Sequence, residues 1–311
     1  MERKYLTAAI GEALWDIYPE GKFPGGATFN YIHHIRQLGH EGILFSRLGD
    51  DPEGRELLEF IKKSGHDTGF IRIDQHNPTG YVRVFLDENK VPGFRGADAA
   101  AYYYLEYDMR FPEVKDKIDA VLFGTYTQRT PQVMDVTNRY LGELESALKI
   151  FDVNFRWWND KMEGLVTGCM DHADILKMNE DEYEKICGLY NLSGDRRSNL
   201  EKLIDKFKLK TVCLTLGEYG CLISNRNDIV YCPGLSVDVV DTTGAGDAFI
   251  AAMTIGYLEG RSLRETGEYA NTVAAYTSMK QGAVPEYTME DITSLRNGCN
   301  NYNFVKEIDG L

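Results

Sequence analysis

The 311-residue sequence lacks an excess of basic residues. Its 34 Lys and Arg residues are outnumbered by 48 Asp and Glu residues, which gives a net charge of −14. Because neutralising nucleic-acid phosphates requires clustered Lys and Arg, this balance argues against nucleic acid as a partner. It disfavours an anionic membrane surface for the same reason. An acidic protein can still bind an anionic ligand where positive potential is focused locally.

Paired cysteines and long apolar runs are also scarce. The six cysteines form no CxxC pair and have no histidines at zinc spacing, so buried, reduced thiols are expected. No apolar stretch is long enough to span a bilayer, and the amino-terminal residues lack the cleavage pattern of a signal peptide. We therefore expect a cytoplasmic protein with no membrane partner.

The chain also lacks any obvious division into parts. It contains no linker-like stretch, internal repeat or low-complexity tract, and its 43% hydrophobic and 26% charged residues are typical of a globular protein. A chain of this length can bury a core as one large domain or two small ones. The absence of a linker favours a single α/β domain over residues 1–311.

Short apolar runs alternate with helical patterns along most of the sequence. The predicted strands are residues 5–11, 42–49, 118–125, 148–154, 173–179 and 211–217. Amphipathic helical patterns lie between them, for example in residues 27–39 and 50–65. Strands that are apolar on both faces and alternate with helices indicate a mostly parallel sheet covered on both sides. The predicted fold class is therefore α/β.

Two segments depart from this alternation. Residues 12–24 are too rich in Gly and Pro for a helix, and residues 78–95 alternate like a β-hairpin with a polar turn at 87–90. Together they predict a small β lid formed by discontinuous segments of about 12–24 and 78–105. A second hairpin is predicted at residues 220–234.

The run DTTGAGDAF at residues 241–249 joins a glycine-rich turn to an apolar helical pattern. Free N–H groups and a positive helix end attract anions, yet Asp247 adds a carboxylate to this place. In a purely structural interpretation, Asp247 is a favourable first-turn acid. A Rossmann fingerprint fails because Phe249 stands where a third small residue is needed, and the chain has no Walker A sequence.

A catalytic interpretation gives the carboxylate a use. If a sugar hydroxyl lies between Asp247 and the terminal phosphate of ATP, the carboxylate can accept the hydroxyl proton. The neighbouring backbone amides can then hold the negative charge of the phosphoryl group in transfer. The candidate catalytic residues are Asp247 and the amide donors Gly244, Ala245 and Gly246.

This run resembles the carboxy-terminal signature of the ribokinase-like sugar kinases. Further motifs of that family follow in the expected order: GGATFN (25–30), DVNFR (152–156), KMNEDE (177–182), TLGEYG (215–220) and QGAVP (281–285). The resemblance therefore covers the whole chain. It implies a ribokinase-like three-layer α/β/α sandwich with ATP and Mg²⁺ as cofactors. In many relatives K⁺ is bound as well.

The resemblance also implies roles for residues outside the turn. The sugar hydroxyls would be bound by Asp16, Gly25, Gly26 and Asn30. The nucleotide would be bound by Asn179, Thr215, Gly217, Gly220 and Asn271. Glu182 would position Mg²⁺, commonly through water, and Asp241 corresponds to a monovalent-cation site. Local alternatives stay open, because Asn179 followed by acids is also a helix cap and Asp16 suits a turn.

The segments 11–22, 76–94 and 123–131 look most like bacterial fructokinases, which implies conversion of D-fructose to D-fructose 6-phosphate. Further candidates for the sugar side are Arg95, Gln128, Arg129 and Arg156. Phe29 departs from the small residue usual in the family, and core packing is the expected reason. The tyrosine-rich segment 102–107 would stack on a substrate or cover a neighbouring subunit.

Three other functions compete with a fructokinase. A 2-keto-3-deoxygluconate kinase would need an arginine to contact the substrate carboxylate. A non-catalytic sugar-sensing protein would share the fold, but the intact Asp247 and glycine turn argue against it. A nicotinamide-dependent dehydrogenase would need an early glycine-rich loop that the chain lacks. The family resemblance also suggests a homodimer formed through the lid.

Overall fold

The computed structural model describes residues 3–86, 92–155 and 162–305. In these residues the strands are β1 (Leu6–Ile10), β2 (Leu14–Tyr18), β3 (Gly21–Gly25), β4 (Glu41–Gly49), β5 (Ile71–Asp74), β6 (Tyr81–Leu86), β7 (Pro92–Gly96), β8 (Ala120–Gly124), β9 (Leu148–Asp152), β10 (Ile175–Asn179), β11 (Thr211–Thr215), β12 (Cys221–Ser224), β13 (Ile229–Cys232), β14 (Gly234–Leu235) and β15 (Tyr302–Asn303). The helices are α1 (Ala27–Gln37), α2 (Pro52–Lys63), α3 (Pro131–Glu143), α4 (Met162–His172), α5 (Glu180–Leu189), α6 (Arg196–Phe207), α7 (Ala245–Leu258), α8 (Leu263–Ser278) and α9 (Met289–Gly298).

The predicted α/β class is confirmed by a large, mostly parallel sheet. In the described residues this sheet has nine strands in the order β13-β12-β11-β10-β9-β8-β1-β4-β5. The seven strands β11, β10, β9, β8, β1, β4 and β5 pair in parallel, whereas β12 and β13 add an antiparallel hairpin at one edge. All six strands predicted from apolar runs belong to this sheet.

Helices cover both faces of the main sheet and form a three-layer sandwich. Successive strand residues alternate between two apolar cores: Phe45 lies in one and Leu44 in the other. The first core also contains buried residues of α3 to α6, and the second contains residues of α1, α2 and α7 to α9. Phe29 of α1 is fully buried in the second core, as its apolar position predicts.

The sequence around α2 shows how local chemistry sets a helix boundary. Asp51 precedes the helix in an extended conformation, and its Oδ1 accepts a hydrogen bond of 2.7 Å from the Gly54 amide. Pro52 occupies the first turn, where the missing N–H is not needed. The buried residues Leu57 and Ile61 then lie four positions apart and face the sheet.

Strands β2, β3, β6 and β7 form a second, smaller sheet, and the polar turn predicted at 87–90 lies outside the described residues. The strand order of this sheet is β3-β2-β6-β7, with β2 and β6 parallel and the other pairs antiparallel. The following segment forms a short 3₁₀ helix at Ala101–Tyr104. There Tyr102 and Tyr103 are buried against Tyr126 in a third apolar cluster, so these two rings pack within the chain, whereas Tyr104 is exposed.

The strand order creates a switch point beside β1. The chain leaves β1 for β4 on one side and returns to β8 on the other side. Ligands of open α/β sheets bind at such points, outside the carboxyl ends of the strands. The small sheet follows β1 directly along the chain and extends over this crevice.

The cysteines have the reduced form expected from the sequence. Five of the cysteines are buried and free, and Cys299 is free and half-buried. Among the described helices, none combines the length and the apolar character that crossing a membrane requires.

Candidate active site

A cavity of about 360 Å³ lies between the small sheet and the carboxyl ends of the main strands. Glu12 and Asn154, which follow β1 and β9, contribute to its floor. Its roof is one face of the small sheet, since Asp16, Val82 and Gly96 lie side by side across β2, β6 and β7. The predicted sugar-binding residues that line this first cavity are Asp16, Gly26, Asn30 and Arg129.

The double glycine holds Asp16 over the first cavity. Gly25 lies so close to Asp16 that a Cβ added to Gly25 would overlap the Asp16 carboxylate. Gly26 precedes α1 with a φ of 102°, and a Cβ there would lie 2.7 Å from the carbonyl oxygen of Glu12. Both positions therefore need glycine for steric reasons. The two glycines let the backbone approach Asp16 and Glu12 closely, and the Asp16 side chain is the polar group that lines the cavity.

Glu12 anchors the start of α1 beside the cavity. Its side chain is buried and accepts hydrogen bonds from the Ala27 amide at 2.9 Å and from Thr127 Oγ1 at 2.5 Å. A carboxylate near the first turn of a helix also interacts favourably with the helix dipole. Glu12 thus joins the region after β8 to the helix that carries Asn30.

Asn30 connects the first cavity to Asp247. Its Nδ2 donates a hydrogen bond of 2.8 Å to Asp247 Oδ2, across 217 positions of the sequence. The Oδ1 of Asn30 is buried, and in the described part of the chain it accepts no hydrogen bond. Because leaving a buried acceptor unsatisfied is unfavourable, a ligand hydroxyl at this place would be stabilised.

The turn before α7 is held by Asp241. Its Oδ1 accepts a hydrogen bond of 2.9 Å from the Thr243 amide, and its Oδ2 accepts one of 3.0 Å from the Gly282 amide. Gly244 has a φ of 78° and packs so closely on Ala283 that a Cβ would lie 2.6 Å from the Ala283 Cα. Asp241 and Gly244 therefore join the 241–244 turn to the 282–283 segment.

Helix α7 begins at Ala245, and its amino-terminal end faces the turn. Nearly all its residues from Ala248 to Gly256 are buried, which explains the long apolar run after Asp247. Within the described residues no side chain caps the helix, because glycine occupies the capping position. The first amides of α7 thus form an anion-attracting end beside the Asp247 carboxylate.

A second cavity of about 460 Å³ lies at the carboxyl ends of β10 and β11. The predicted nucleotide-side and turn residues that line it are Asn179, Thr215, Gly217, Gly220, Ala245, Gly246 and Asn271. Thr242 lines this second cavity, whereas the next residue, Thr243, lines the first one. The 241–247 turn therefore lies between the two cavities: Thr243 faces the first cavity, and Thr242, Ala245 and Gly246 face the second. Asp247 lines neither cavity and is connected to the first one through its hydrogen bond with Asn30.

The residues on either side of the β12–β13 hairpin, among them Gly220 and Gly234, line part of the second cavity. Asn271 Nδ2 donates hydrogen bonds to the carbonyl oxygens of Cys232 and Pro233 at 3.0 and 3.1 Å. Gly220 has a φ of 91°, and a Cβ there would overlap the Cys232 carbonyl oxygen. Asn271 thus shapes the cavity by holding the backbone after β13.

A buried lysine lies behind the turn. Lys177 Nζ is 3.0 Å from Asp152 Oδ1, and a Cβ at Gly246 would be only 3.4 Å from this nitrogen. Burial lowers the pKa of Lys177, but the carboxylates of Asp152 and Glu182 outweigh it and raise the pKa above its usual value. The ammonium group is therefore charged and compensates part of the negative charge of the buried carboxylates beside it.

Glu182 has a clear structural role. Asn179 and Glu182 form a reciprocal capping box at the start of α5, and Glu182 Oε1 also accepts a hydrogen bond of 3.1 Å from the Phe155 amide. Burial raises the pKa of Glu182, and the Lys177 ammonium acts in the opposite direction. The described residues contain no group of three or more side chains arranged to bind a metal ion directly.

The structure does not bring all the sugar-side candidates together. Gln128 is buried, and its Nε2 donates hydrogen bonds to the Gly124 carbonyl oxygen and to Cys169 Sγ. Arg95 lies on the outer face of the small sheet, because it precedes Gly96 and side chains alternate along a strand. Arg95 is 76% exposed. Arg156 lies outside the described residues.

Sequence reasoning missed three residues near the two cavities: Glu12, Tyr18 and Lys177. Lys177 was visible as a charged residue in the middle of an apolar strand, which is unusual enough to indicate a partner or a function. Glu12 was visible as an acid directly after a buried strand. Tyr18 carried no local signal, because its hydroxyl contacts Thr243, which is 225 positions away.

Comparison with known proteins agrees with this geometry. A family model described as pfkB family carbohydrate kinase matches residues 20–288. The chain belongs to this family. Among curated pfkB-type relatives, a sugar kinase of Pyrococcus horikoshii is 32% identical over 300 residues, which cover 89% of this chain and 91% of that protein.

Solved structures support the same assignment. The structure of the uncharacterized P. horikoshii sugar kinase matches with a TM-score of 0.80 at 29% identity and covers 94% of this chain and 98% of that one. The same kinase in complex with ATP matches with a TM-score of 0.75 at 28% identity and covers 92% and 96% of the two chains. The predicted ribokinase-like fold and the assignment as a sugar kinase are thus confirmed.

Two further pfkB-type relatives differ in their named activities. Fructokinase-2 of Oryza sativa is 27% identical over 311 residues, which cover 90% of each chain. An ATP-dependent 6-phosphofructokinase of Thermoanaerobacterium thermosaccharolyticum is 26% identical over 318 residues, which cover 95% of this chain and 94% of that protein. Overall similarity therefore does not distinguish one sugar substrate from another.

Proposed function

We propose that this pfkB-family kinase transfers the γ-phosphoryl group of ATP to the 6-hydroxyl of D-fructose. The observation that carries the proposal is the position of the 241–247 turn between two cavities. The first cavity would hold the sugar under the small sheet, and the second would hold the nucleotide. The turn with its carboxylate and amides then lies where the two substrates meet.

Asp247 would act as the general base of this reaction. A carboxylate beside the acceptor hydroxyl can take its proton as the oxygen attacks the phosphorus atom. The hydrogen bond from Asn30 Nδ2 keeps the Asp247 carboxylate oriented. The amides at the start of α7 would hold the charge that develops on the phosphoryl oxygens.

The surroundings of the turn fit the triphosphate of ATP. The uncapped end of α7 supplies positive potential at the second cavity, and the Lys177 ammonium, which is paired with Asp152, also lines this cavity. The absence of a direct metal-binding cluster in the described residues suits Mg²⁺ that arrives on ATP and keeps several waters. Bound in this way, Mg²⁺ would neutralise charge on the phosphates, and Glu182 would act on it only through water.

Asp241 and the small sheet would have two further roles. Both Asp241 oxygens already accept backbone hydrogen bonds, so a monovalent cation there would be bound largely by carbonyl oxygens. The small sheet would serve as a lid that excludes water from the sugar. Its outer face would be the surface of a homodimer.

A second candidate substrate is 2-keto-3-deoxygluconate, and Arg129 is the observation in its favour. Arg129 lines the first cavity, and its guanidinium group lies 4.6 and 5.1 Å from the ring centres of Tyr103 and Tyr126. Such stacking orients a planar group that can bind a carboxylate through two hydrogen bonds. Arg129 would then select the acidic sugar.

The deciding experiment is ATP consumption with fructose, 2-keto-3-deoxygluconate, ribose, tagatose and adenosine. The proposal expects the highest kcat/KM with fructose, and a preference for the acidic sugar would replace the first substrate by the second. Arg129→Gln should then lower kcat/KM for the acidic sugar only, with Arg95→Gln as the matched control on the outer face. Absence of turnover with all five compounds would favour a non-catalytic sugar-binding protein.

A further inference from the structure

The small sheet contacts the 241–244 turn and the adjoining Gly282 through two neighbouring aromatic residues. The Tyr18 hydroxyl of β2 forms a hydrogen bond of 2.8 Å with Thr243 Oγ1. The Phe23 ring of β3 lies over Gly282, since a Cβ at Gly282 would be 3.4 Å from Phe23 Cδ1. The two rings pack edge to face, with centres 5.6 Å apart and an interplanar angle of 84°.

The two segments that Tyr18 and Phe23 contact are joined to each other. Asp241 accepts hydrogen bonds from the amides of both Thr243 and Gly282, so the two segments that the aromatic residues touch are joined. Gly244, which directly precedes α7, packs on Ala283 of the joined segments. A displacement of Tyr18 and Phe23 would therefore also displace the amides at the start of α7.

Tyr18 also lies on the face of β2 that lines the first cavity. Asp16 and Tyr18 are two positions apart on one strand, so their side chains point to the same side, and both line the cavity. A ligand held by Asp16 would thus fix the strand that carries Tyr18. Asp16, Tyr18 and the hydrogen bond from Tyr18 to Thr243 thus connect the ligand position to the turn.

We propose that Tyr18 is a positioning residue that couples the small sheet to the phosphoryl-transfer turn. Its hydrogen bond to Thr243 holds the 241–244 turn, and with it the first amides of α7, in place while the sheet covers a bound sugar. This inference rests on the proposed kinase function for its catalytic consequence. The coupling itself is a property of the two segments and can be measured without turnover.

Amide hydrogen exchange measures the coupling directly. Tyr18→Phe keeps the ring on Phe23 and removes only the hydroxyl, so peptides that cover residues 241–249 should exchange faster than in the wild-type protein. Thr243→Val should have the same effect. Tyr81→Phe removes a hydroxyl from the same sheet at a position that pairs with Trp15, away from the cavity face, and should leave this exchange unchanged. Unchanged exchange in both Tyr18→Phe and Thr243→Val would overturn the inference.

Steady-state kinetics measures the catalytic consequence. Loss of one hydrogen bond should lower kcat by about three-fold to ten-fold while the KM for the sugar stays within about two-fold. The double variant Tyr18→Phe/Thr243→Val should lose no more than either single variant, since both remove the same bond. Losses that multiply, or a rise in sugar KM at constant kcat, would contradict the assignment.

The two measurements separate the two proposals. Faster exchange in Tyr18→Phe with no sugar-dependent ATP consumption by the wild-type protein would refute the proposed kinase function and support the coupling. Normal wild-type turnover with unchanged exchange would refute the coupling and support the kinase function.

Discussion

At the scale of single residues, the proposed chemistry depends on the carboxylate of Asp247. This carboxylate accepts a hydrogen bond from Asn30 and lies in the first turn of α7, beside amides that attract anions. In the proposed reaction the amides would bind negative charge and the carboxylate would accept a proton. A first-turn acid that served helix stability alone would not need a hydrogen bond from a residue of α1.

We expect Asp247→Asn to lower kcat by about 10²-fold to 10⁴-fold, the usual contribution of a general base. The KM for ATP should change little, because the amides at the start of α7 are backbone groups and are unaffected by the substitution. Steady-state kinetics at saturating sugar measures both values. A variant that keeps near-normal kcat would exclude Asp247 as the base.

A second prediction at this scale concerns Gly25. Any Cβ at this position would overlap the Asp16 carboxylate, so Gly25→Ala must displace Asp16 from the first cavity. We expect a higher KM for the sugar and an unchanged KM for ATP, because Asp16 lines the first cavity and not the second. Gly21→Ala, in the same strand with nothing within 4 Å of the added atom, is the control. Equal effects of the two variants would contradict the steric argument.

At the scale of elements, α8 packs closely on the β12–β13 hairpin, whose flanking residues line the second cavity. A Cβ at Gly267 would lie 2.5 Å from Cys232 Sγ and 3.1 Å from Ile223 Cδ1. Asn271, one turn later, holds the backbone of the same hairpin. The glycine therefore sets the distance between helix and hairpin, and through it the width of the second cavity.

We expect Gly267→Ala to lower the free energy of unfolding by about 1–3 kcal/mol, the typical effect of overpacking a core. Gly168→Ala in α4 is the matched control, because a Cβ there meets nothing within 4 Å. A helical Gly→Ala change in open space should instead stabilise by about 0.5–1 kcal/mol. Urea denaturation of both variants measures the difference, and the same sign of change in both would refute the packing argument.

At the scale of the whole molecule, three buried histidines join distant parts of the chain. His33 and His34 of α1 contact the carbonyl oxygens of Pro285 and Ala283, and His66 Nε2 lies 3.4 Å from His33 Nδ1. Burial lowers the pKa of His33 to about 4 and the pKa values of His34 and His66 to about 3. The folded protein therefore holds all three imidazoles neutral near pH 7.

This arrangement predicts that the protein loses stability in mild acid. An unfolded histidine has a pKa near 6.5, so between about pH 6.5 and pH 4 the unfolded chain binds protons that the folded chain does not. The stability contribution is complete above pH 6.5 and falls as the pH drops through this window. Well below pH 6.5, each histidine lowers the free energy of unfolding by about 1.4 kcal/mol for each unit by which the pH falls.

Urea denaturation at pH 7, 6 and 5 tests this prediction. His66→Gln should make the loss of unfolding free energy smaller by about 0.7 kcal/mol between pH 7 and pH 6 and by about 1.2 kcal/mol between pH 6 and pH 5. His76→Gln replaces an exposed histidine and should leave the pH dependence as in the wild-type protein. A wild-type pH dependence in His66→Gln would contradict the assignment.

The sequence by itself determined the fold class, all strands of the main sheet except β5, and the glycine-rich turn before α7. Apolar periodicity and capping residues act over a few positions, so they can be recognised without knowing the tertiary structure. The glycine turn before Asp247 has a local signature of the same kind, because glycines permit close backbone approach. Asp16 and Asn30 were predicted from the resemblance to a known family.

Only the tertiary structure decided which side chains share a cavity. Arg95 and Gln128 have suitable chemistry, but strand alternation turns Arg95 outward and burial commits the Gln128 amide to internal hydrogen bonds. Lys177 and Tyr18 gain their roles from partners far along the chain. The physical reason is that register and packing between distant segments set these distances, and no short stretch of sequence contains both partners.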